Sequence, residues 1–189
     1  MDLSTDRLKQ KFIRGNKRAF DKIYADYSEA MYSICLRYTK NTDEAADILQ
    51  DAFIKIYEKR NLFNPEMSLG AWIKRIVINE AINHYRVNKR FDLVEDDTYF
   101  DEEEAPIEIG ESVNIKEVLL QVLNELPDGY RTVFNMYVFD NLKHQEIADY
   151  LGVSINTSKT QLAKARKMIQ RMLEEKNITR STLVDEQGV

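Results

Sequence analysis

Between Leu93 and Asn114 the chain carries nine carboxylates and not one lysine or arginine. Like charges at that density repel, and the apolar residues among them (Tyr99, Phe100, Ile107, Ile109) follow no helical or strand period. No compact core can run through such a stretch, so it divides the 189 residues into two parts that must each bury their own apolar surface. It also masks the charge of its flanks. Residues 1–92 hold 17 Lys/Arg against 13 Asp/Glu and residues 115–189 hold ten of each, although the whole chain is at −5. An acidic total therefore says nothing against a nucleic-acid partner for either flank. The expected organisation is a helical domain over 1–92, a flexible acidic linker over 93–112, a second helical domain over 113–175 and a disordered tail over 176–189.

Outside the linker the apolar residues recur every three or four positions and nowhere alternate as a strand requires, which predicts an all-α fold of two small bundles. A first helix is expected over residues 5–14, with Gly15 as its stop. A second, capped by Asn16, turns Phe20, Ile23, Tyr24, Tyr27, Met31, Ile34 and Cys35 inward. Thr42 is expected to cap a third, whose inward stripe is Ala45, Ile48, Leu49, Ala52, Phe53 and Ile56. The fourth covers residues 69–89, with Trp72, Ile73, Ile76, Ile82 and Tyr85 apolar. Past Ser112, one helix carries Val118, Leu119, Val122 and Leu123. The next carries Tyr130, Val133, Phe134 and Tyr137 and precedes a turn at Asp140-Asn141.

The segment from Leu142 to Arg166 has a pattern of its own. Ile147, Ala148 and Leu151 make a short apolar stripe, Gly152 sits where a left-handed residue ends a helix, and Ser154 or Asn156 is placed to cap the next one. That next helix buries Leu162, Ala165, Ile169 and Leu173. From Asn156 to Arg171 it carries five cations (Lys159, Lys164, Arg166, Lys167, Arg171) and no carboxylate. Short helix, glycine turn and cationic helix form a helix-turn-helix, which sets its second helix in a DNA major groove. A second polar constellation spans Asn61 to Arg90. There a proline-bearing loop (Phe63, Asn64, Pro65, Met67) leads into a helix with Lys74, Arg75, Asn79, Asn83, Arg86, Lys89 and Arg90. Asn79, Asn83 and Arg86 share a face, where amides and a guanidinium meet base edges or phosphates. Aromatic residues beside cations suit unpaired bases, which stack on flat side chains.

Catalytic chemistry has no visible home. His84 and His144 are far apart and Cys35 is the one cysteine, so neither a metal cluster nor a disulfide framework is expected, and six glycines in total form no phosphate loop. Acid pairs such as Asp43 and Asp47 read as solvated surface. We expect no cofactor, no bound metal and no enzyme activity. A lone thiol, the lack of a membrane-length apolar run and an N-terminus without a signal-peptide core predict a cytoplasmic protein with no direct membrane insertion. Two rival readings remain at this point, a dimeric ligand-sensing regulator and a nuclease or RNA-modifying enzyme. The first lacks a dimer seam and the second an acid cluster.

With these regions in hand, the chain resembles bacterial sigma factors of the extracytoplasmic-function group, in which two helical domains (regions 2 and 4) flank a linker. Three ordered segments carry the likeness: Asp43–Lys59, Ser68–Arg90 and Leu126–Arg166. The resemblance implies core RNA polymerase and promoter DNA as partners, and an anti-sigma factor, membrane-bound forms included. It places Asp47, Leu49, Gln50, Asp51 and Phe53 on the polymerase-docking helix. Residues 61–69, with Phe63, Asn64 and Met67, match the loop that captures a flipped −10 base. Lys74, Arg75, Asn79, Asn83, Arg86, Lys89 and Arg90 then continue the −10 surface. Asn156, Thr157, Ser158, Lys159 and Gln161 open the helix that enters the −35 major groove, with Lys164, Arg166 and Lys167 following. Lys159 and Gln161 stand where many relatives carry arginines, which leaves the preferred −35 bases open.

Overall fold

The computed structural model describes residues 3–88 and 113–175, and every regular element among them is helical. They form two compact units that divide after Asn88. The acidic linker expected over 93–112, the tail over 176–189 and the site residues Lys89 and Arg90 lie outside the described residues.

Four helices build the first unit: α1 (Leu3–Ile13), α2 (Lys17–Tyr38), α3 (Thr42–Glu58) and α4 (Leu69–Asn88), with a 3-10 turn at Arg60–Leu62 between the last two. Helices α2, α3 and α4 pack on one another around Ile23, Ile48, Ile56, Ile73 and Ile82, all fully buried, and α1 adds Phe12. The inward stripe expected for α3 is buried at all six positions. In α2 the expectation holds less well: Ala19 and Tyr38 are buried, while Phe20 and Tyr27 are half-buried and Tyr24 is 44% exposed. The rings of Phe20 and Tyr24 lie along the α2–α3 seam, each edge-on to Phe53 (6.4 and 4.7 Å between centroids), and Phe20 also meets Phe12 and Tyr57. In α4, Trp72 and Ile76 are half-buried, and Val77, Ile78 and Ala81 supply the buried surface instead.

Side chains close the helix starts. Asn16 Oδ1 accepts the Ala19 N–H at 3.0 Å, as expected. For α3 the cap is Asn41 rather than Thr42. Its backbone is extended and its Oδ1 accepts the Asp43 N–H at 2.8 Å, which makes Thr42 the first helical residue.

Cys35 is fully buried, and burial pushes its thiol up from 9.0 to about 12. The folded state holds this proton more tightly than the unfolded state does. Its contribution to stability is therefore whole below about pH 9 and is lost as pH climbs from there toward about 12. The denaturation midpoint of the wild type should accordingly approach that of Cys35→Ala above pH 9. Subtracting the two curves removes the ten tyrosines common to both. A constant difference from pH 7 to 11 would contradict the assignment.

In the second unit α5 (Val113–Glu125) and α6 (Asp128–Phe134) precede a π turn over Asn135–Phe139, in which Asn135 and Met136 are both fully buried. Asn141 follows at φ 55°, a left-handed residue at the expected turn. Helices α7 (His144–Leu151) and α8 (Ile155–Glu175) complete the unit around Leu123, Leu126, Phe134, Ile147 and Ile169. The Lys143 N–H donates to Glu146 Oε2 at 2.8 Å to start α7. Gly152 ends α7 at φ 70°, and the Val153 N–H reaches back to the Ala148 carbonyl at 3.1 Å. A Cβ on Gly152 would meet nothing within 4 Å, so Gly152→Ala should cost only the left-handed backbone, about 1 kcal/mol. A melting midpoint lowered by roughly 4–8 °C is the expected reading, with Gly152→Asn milder.

Candidate nucleic-acid interface

The helix-turn-helix is built as its sequence pattern predicts, and its start is firmly tied down. Ser154 Oγ accepts the Thr157 N–H at 2.9 Å and lies 2.8 Å from Thr157 Oγ1, so Ser154 is the cap and Asn156 sits exposed in the first turn. Ser158 is fully buried, with its Oγ 2.9 Å from His144 Nδ1, which joins the first turn of α8 to the start of α7. The His144 ring in turn stacks on Tyr137 at 4.6 Å.

Helical phase then sorts the expected −35 residues. Asn156, Lys159 and Lys167 are exposed on one stripe, with half-buried Ala163 between them, small enough to let a partner approach the backbone. Ser158 and Gln161 point the other way. Gln161 is 5% exposed, and it lies with Leu162, Ala165 and Ile169 on the face packed into the bundle. The expectation that Gln161 and Ser158 contact DNA is therefore corrected, because both are consumed by the core. Arg166 is half-buried with its guanidinium 5.7 Å from the centre of the Tyr137 ring, so it braces the bundle rather than leading toward phosphate. Thr157 and Lys164 are half-buried at the sides of the stripe.

On α4, Arg75, Asn79, Asn83 and Arg86 are all exposed and fall on one stripe, free of carboxylates. Glu80 lies off it, in an ion pair with Lys55 of α3, and half-buried Lys74 lies to the side. In the preceding loop Asn64 and Met67 are exposed. Phe63 is not: it is buried and packs against Trp72 at 5.2 Å, with Trp72 reaching Phe12 at 6.3 Å. Phe63 anchors the loop and is withdrawn as a base contact.

The expected docking helix α3 divides in the same way. Asp47, Gln50 and Asp51 are exposed, whereas Leu49 and Phe53 are buried core. The last two still line a groove of about 550 Å³ between α2 and α3, whose walls include Phe20, Tyr24, Ile54 and Tyr57. Ile54, 49% exposed, and Tyr24 were missed by sequence reasoning. The signal was present for Ile54, an apolar residue off the buried stripe of its own helix. Among the described residues no three metal-ligating side chains gather, and no helix is long and apolar enough to cross a membrane.

Residues 23–91 match the family model of sigma-70 region 2, and residues 116–169 that of sigma-70 region 4. RNA polymerase sigma factor SigV of Bacillus subtilis is 30% identical over 156 residues, covering 82% of this chain and 90% of its own. ECF RNA polymerase sigma factor SigW of the same organism is 29% identical, covering 89% and 96%, and RNA polymerase sigma-H factor of Pseudomonas aeruginosa 28%, covering 89% and 93%. Among solved structures, the sigma factor RpoE in complex with the anti-sigma factor NepR, from Bartonella quintana, superposes with a TM-score of 0.51 at 24% identity, covering 82% of this chain and 96% of that one. CnrH in complex with the cytosolic domain of CnrY gives 0.50 at 21% identity, covering 90% and 97%.

Proposed function

The chain belongs to the extracytoplasmic-function group of sigma-70 factors, which direct promoter-specific transcription initiation, and on that premise we propose how its two units divide the work. The second unit holds the −35 duplex with Asn156 and Lys159 at base edges and Lys167 at phosphate. The first unit docks on core polymerase through the exposed face of α3 and holds the −10 element with Arg75, Asn79, Asn83 and Arg86. The loop with Asn64 and Met67 takes an unstacked base.

One observation carries this reading: in each unit an exposed helical stripe of amides and cations without a carboxylate lies in a family-matched segment. Cations neutralise phosphates and supply most of the affinity, while amides and a few cations at base edges supply the choice of sequence. Unstacking a base costs only a few kcal/mol, which binding at −10 offsets. The work is recognition and strand opening, so the chain acts as a specificity subunit without a catalytic group, metal or cofactor of its own.

An anti-sigma factor is a second partner in this proposal. The two solved structures named above each hold another protein in complex, and here the apolar groove between α2 and α3 borders the face assigned to polymerase. A factor seated there would exclude docking. The cytoplasm follows as the place of action, since polymerase and promoter are there.

Photocrosslinking tests the division. With a crosslinker at position 83 or 159 in the holoenzyme, Asn83 should mark melted −10 DNA and Lys159 duplex near −35. Labelling of the same element from both positions would contradict the division.

A further inference from the structure

We propose that Lys9 is a positioning residue for −10 recognition: its ammonium fixes the Pro65–Glu66 peptide and so sets the shape of the loop over residues 61–68. The proposal rests on the reading of that loop as the holder of an unstacked base.

The loop has little regular structure, yet one of its peptides is held at both ends. The Met67 N–H donates to the Asn64 carbonyl at 3.0 Å, which closes a four-residue turn with Pro65 in its second position. Within that turn Asn64 Oδ1 accepts the Glu66 N–H at 3.0 Å. From α1, 56 residues away in sequence, Lys9 Nζ donates to the Pro65 carbonyl at 3.0 Å. The N–H and the C=O of the Pro65–Glu66 peptide are therefore both engaged.

Glu66, third in the turn, keeps a negative φ, so the turn takes the common form open to any residue there, with the Pro65 carbonyl turned to Lys9. The Lys9 ammonium ties that carbonyl, and with it the turn, to α1. Lys9 is suited to the task, because its side chain is only 13% exposed, lies 3.8 Å from Asp6, and makes a charge-assisted bond, roughly twice as strong as a neutral one. A second contact comes from the same helix. Phe12, one turn past Lys9, meets Trp72, and Trp72 covers Phe63 at the start of the loop. Helix α1 thus grips the loop at Phe63 through packing and at Pro65 through a hydrogen bond. What stays open is the tip, where Met67 is 56% exposed beside Glu66 and Ser68. A turn released from α1 would offer a base a tip in a different place, and Lys9 fixes where the tip stands. None of the residues assigned to DNA lies on α1.

Holoenzymes carrying Lys9→Met, Lys9→Gln, Lys9→Arg or the loop variant Met67→Ala can be compared on promoters that differ at single −10 positions. Open-complex formation is read from the fluorescence of 2-aminopurine placed in the −10 element. Lys9→Met should reduce the preference for the best −10 base over the next by about tenfold, with core affinity and −35 preference kept and the melting midpoint lowered by only several degrees, as loss of one hydrogen bond requires. Lys9→Arg, still a charged donor, should restore most of the preference, and Lys9→Gln should lie between and replaces Lys9→Met if that variant folds poorly. If Met67→Ala flattens the preference and Lys9→Met does not, the role of Lys9 is overturned while the loop reading stands. If neither changes it, both fall. Equal loss in Lys9→Met and Lys9→Arg would overturn the hydrogen bond as the cause.

Discussion

Gln50→Ala combined with Asp51→Arg should weaken binding to core polymerase by about a hundredfold or more and leave the helical circular dichroism and melting midpoint of the chain as they were. Both residues are exposed on α3, where they continue a face that begins with Asp47 and runs on through Ile54 and Glu58. Truncating a central contact residue in a protein interface typically costs about 2 kcal/mol or more, and reversing a charge adds repulsion at a surface complementary to the original. Two such losses together give the stated factor. The contrast is with Leu49→Ala or Phe53→Ala on the same helix. These residues are buried, so truncation leaves a cavity, costs about 2–5 kcal/mol of stability and weakens assembly only by unfolding the unit. A pull-down paired with a thermal melt tells the two cases apart. Unchanged affinity in the double variant would remove α3 from the interface.

Lys159→Ala should lower affinity for promoters with the preferred −35 element by about 1–3 kcal/mol and should do so unevenly across −35 variants, since a base-edge contact is lost. Lys167→Ala should instead weaken every promoter alike and reduce the slope of log affinity against log salt by about one unit, the signature of a single phosphate contact. Gln161 provides the sharper test of the geometry. Its side chain lies in the core with Oε1 unpaired. Gln161→Leu therefore removes a buried unsatisfied acceptor without leaving a hole. Stability should stay level or rise while the −35 preference is kept. Salt titrations on a panel of −35 sequences measure all three. A changed preference in Gln161→Leu would show that the residue reaches DNA after all.

Residues 158 and 161 also show what the sequence made legible and where reading it stopped short. The buried stripe of α8 was apparent at Leu162, Ala165 and Ile169, and stepping four residues back from Leu162 and Ala165 lands on Ser158 and Gln161. Their polar character and their place at the head of a recognition helix drew them to the DNA side, although helical phase placed them inside. Phe63 misled for a related reason. An aromatic in a loop beside cations suits a stacked base, but only tertiary contact with Trp72 and Phe12 reveals that its ring is already covered. By contrast α3, whose six inward residues are all apolar, could be read in full, as could Gly152. Lys9 gave no signal at all, because a lysine on an amphipathic helix looks solvated until its carbonyl partner 56 residues away is known.

Transcription from a pool of promoter fragments, with bacterial core RNA polymerase alone and with the chain added, puts the central claim to its most direct test. Sequencing of the transcript 5′ ends should show starts that arise only when the chain is present. They should lie downstream of fragments that share two short elements at one constant spacing, the upstream element altered by Lys159→Ala and the downstream one by Asn83→Ala. Starts identical with and without the chain, or starts that share no such pair of elements, would contradict it.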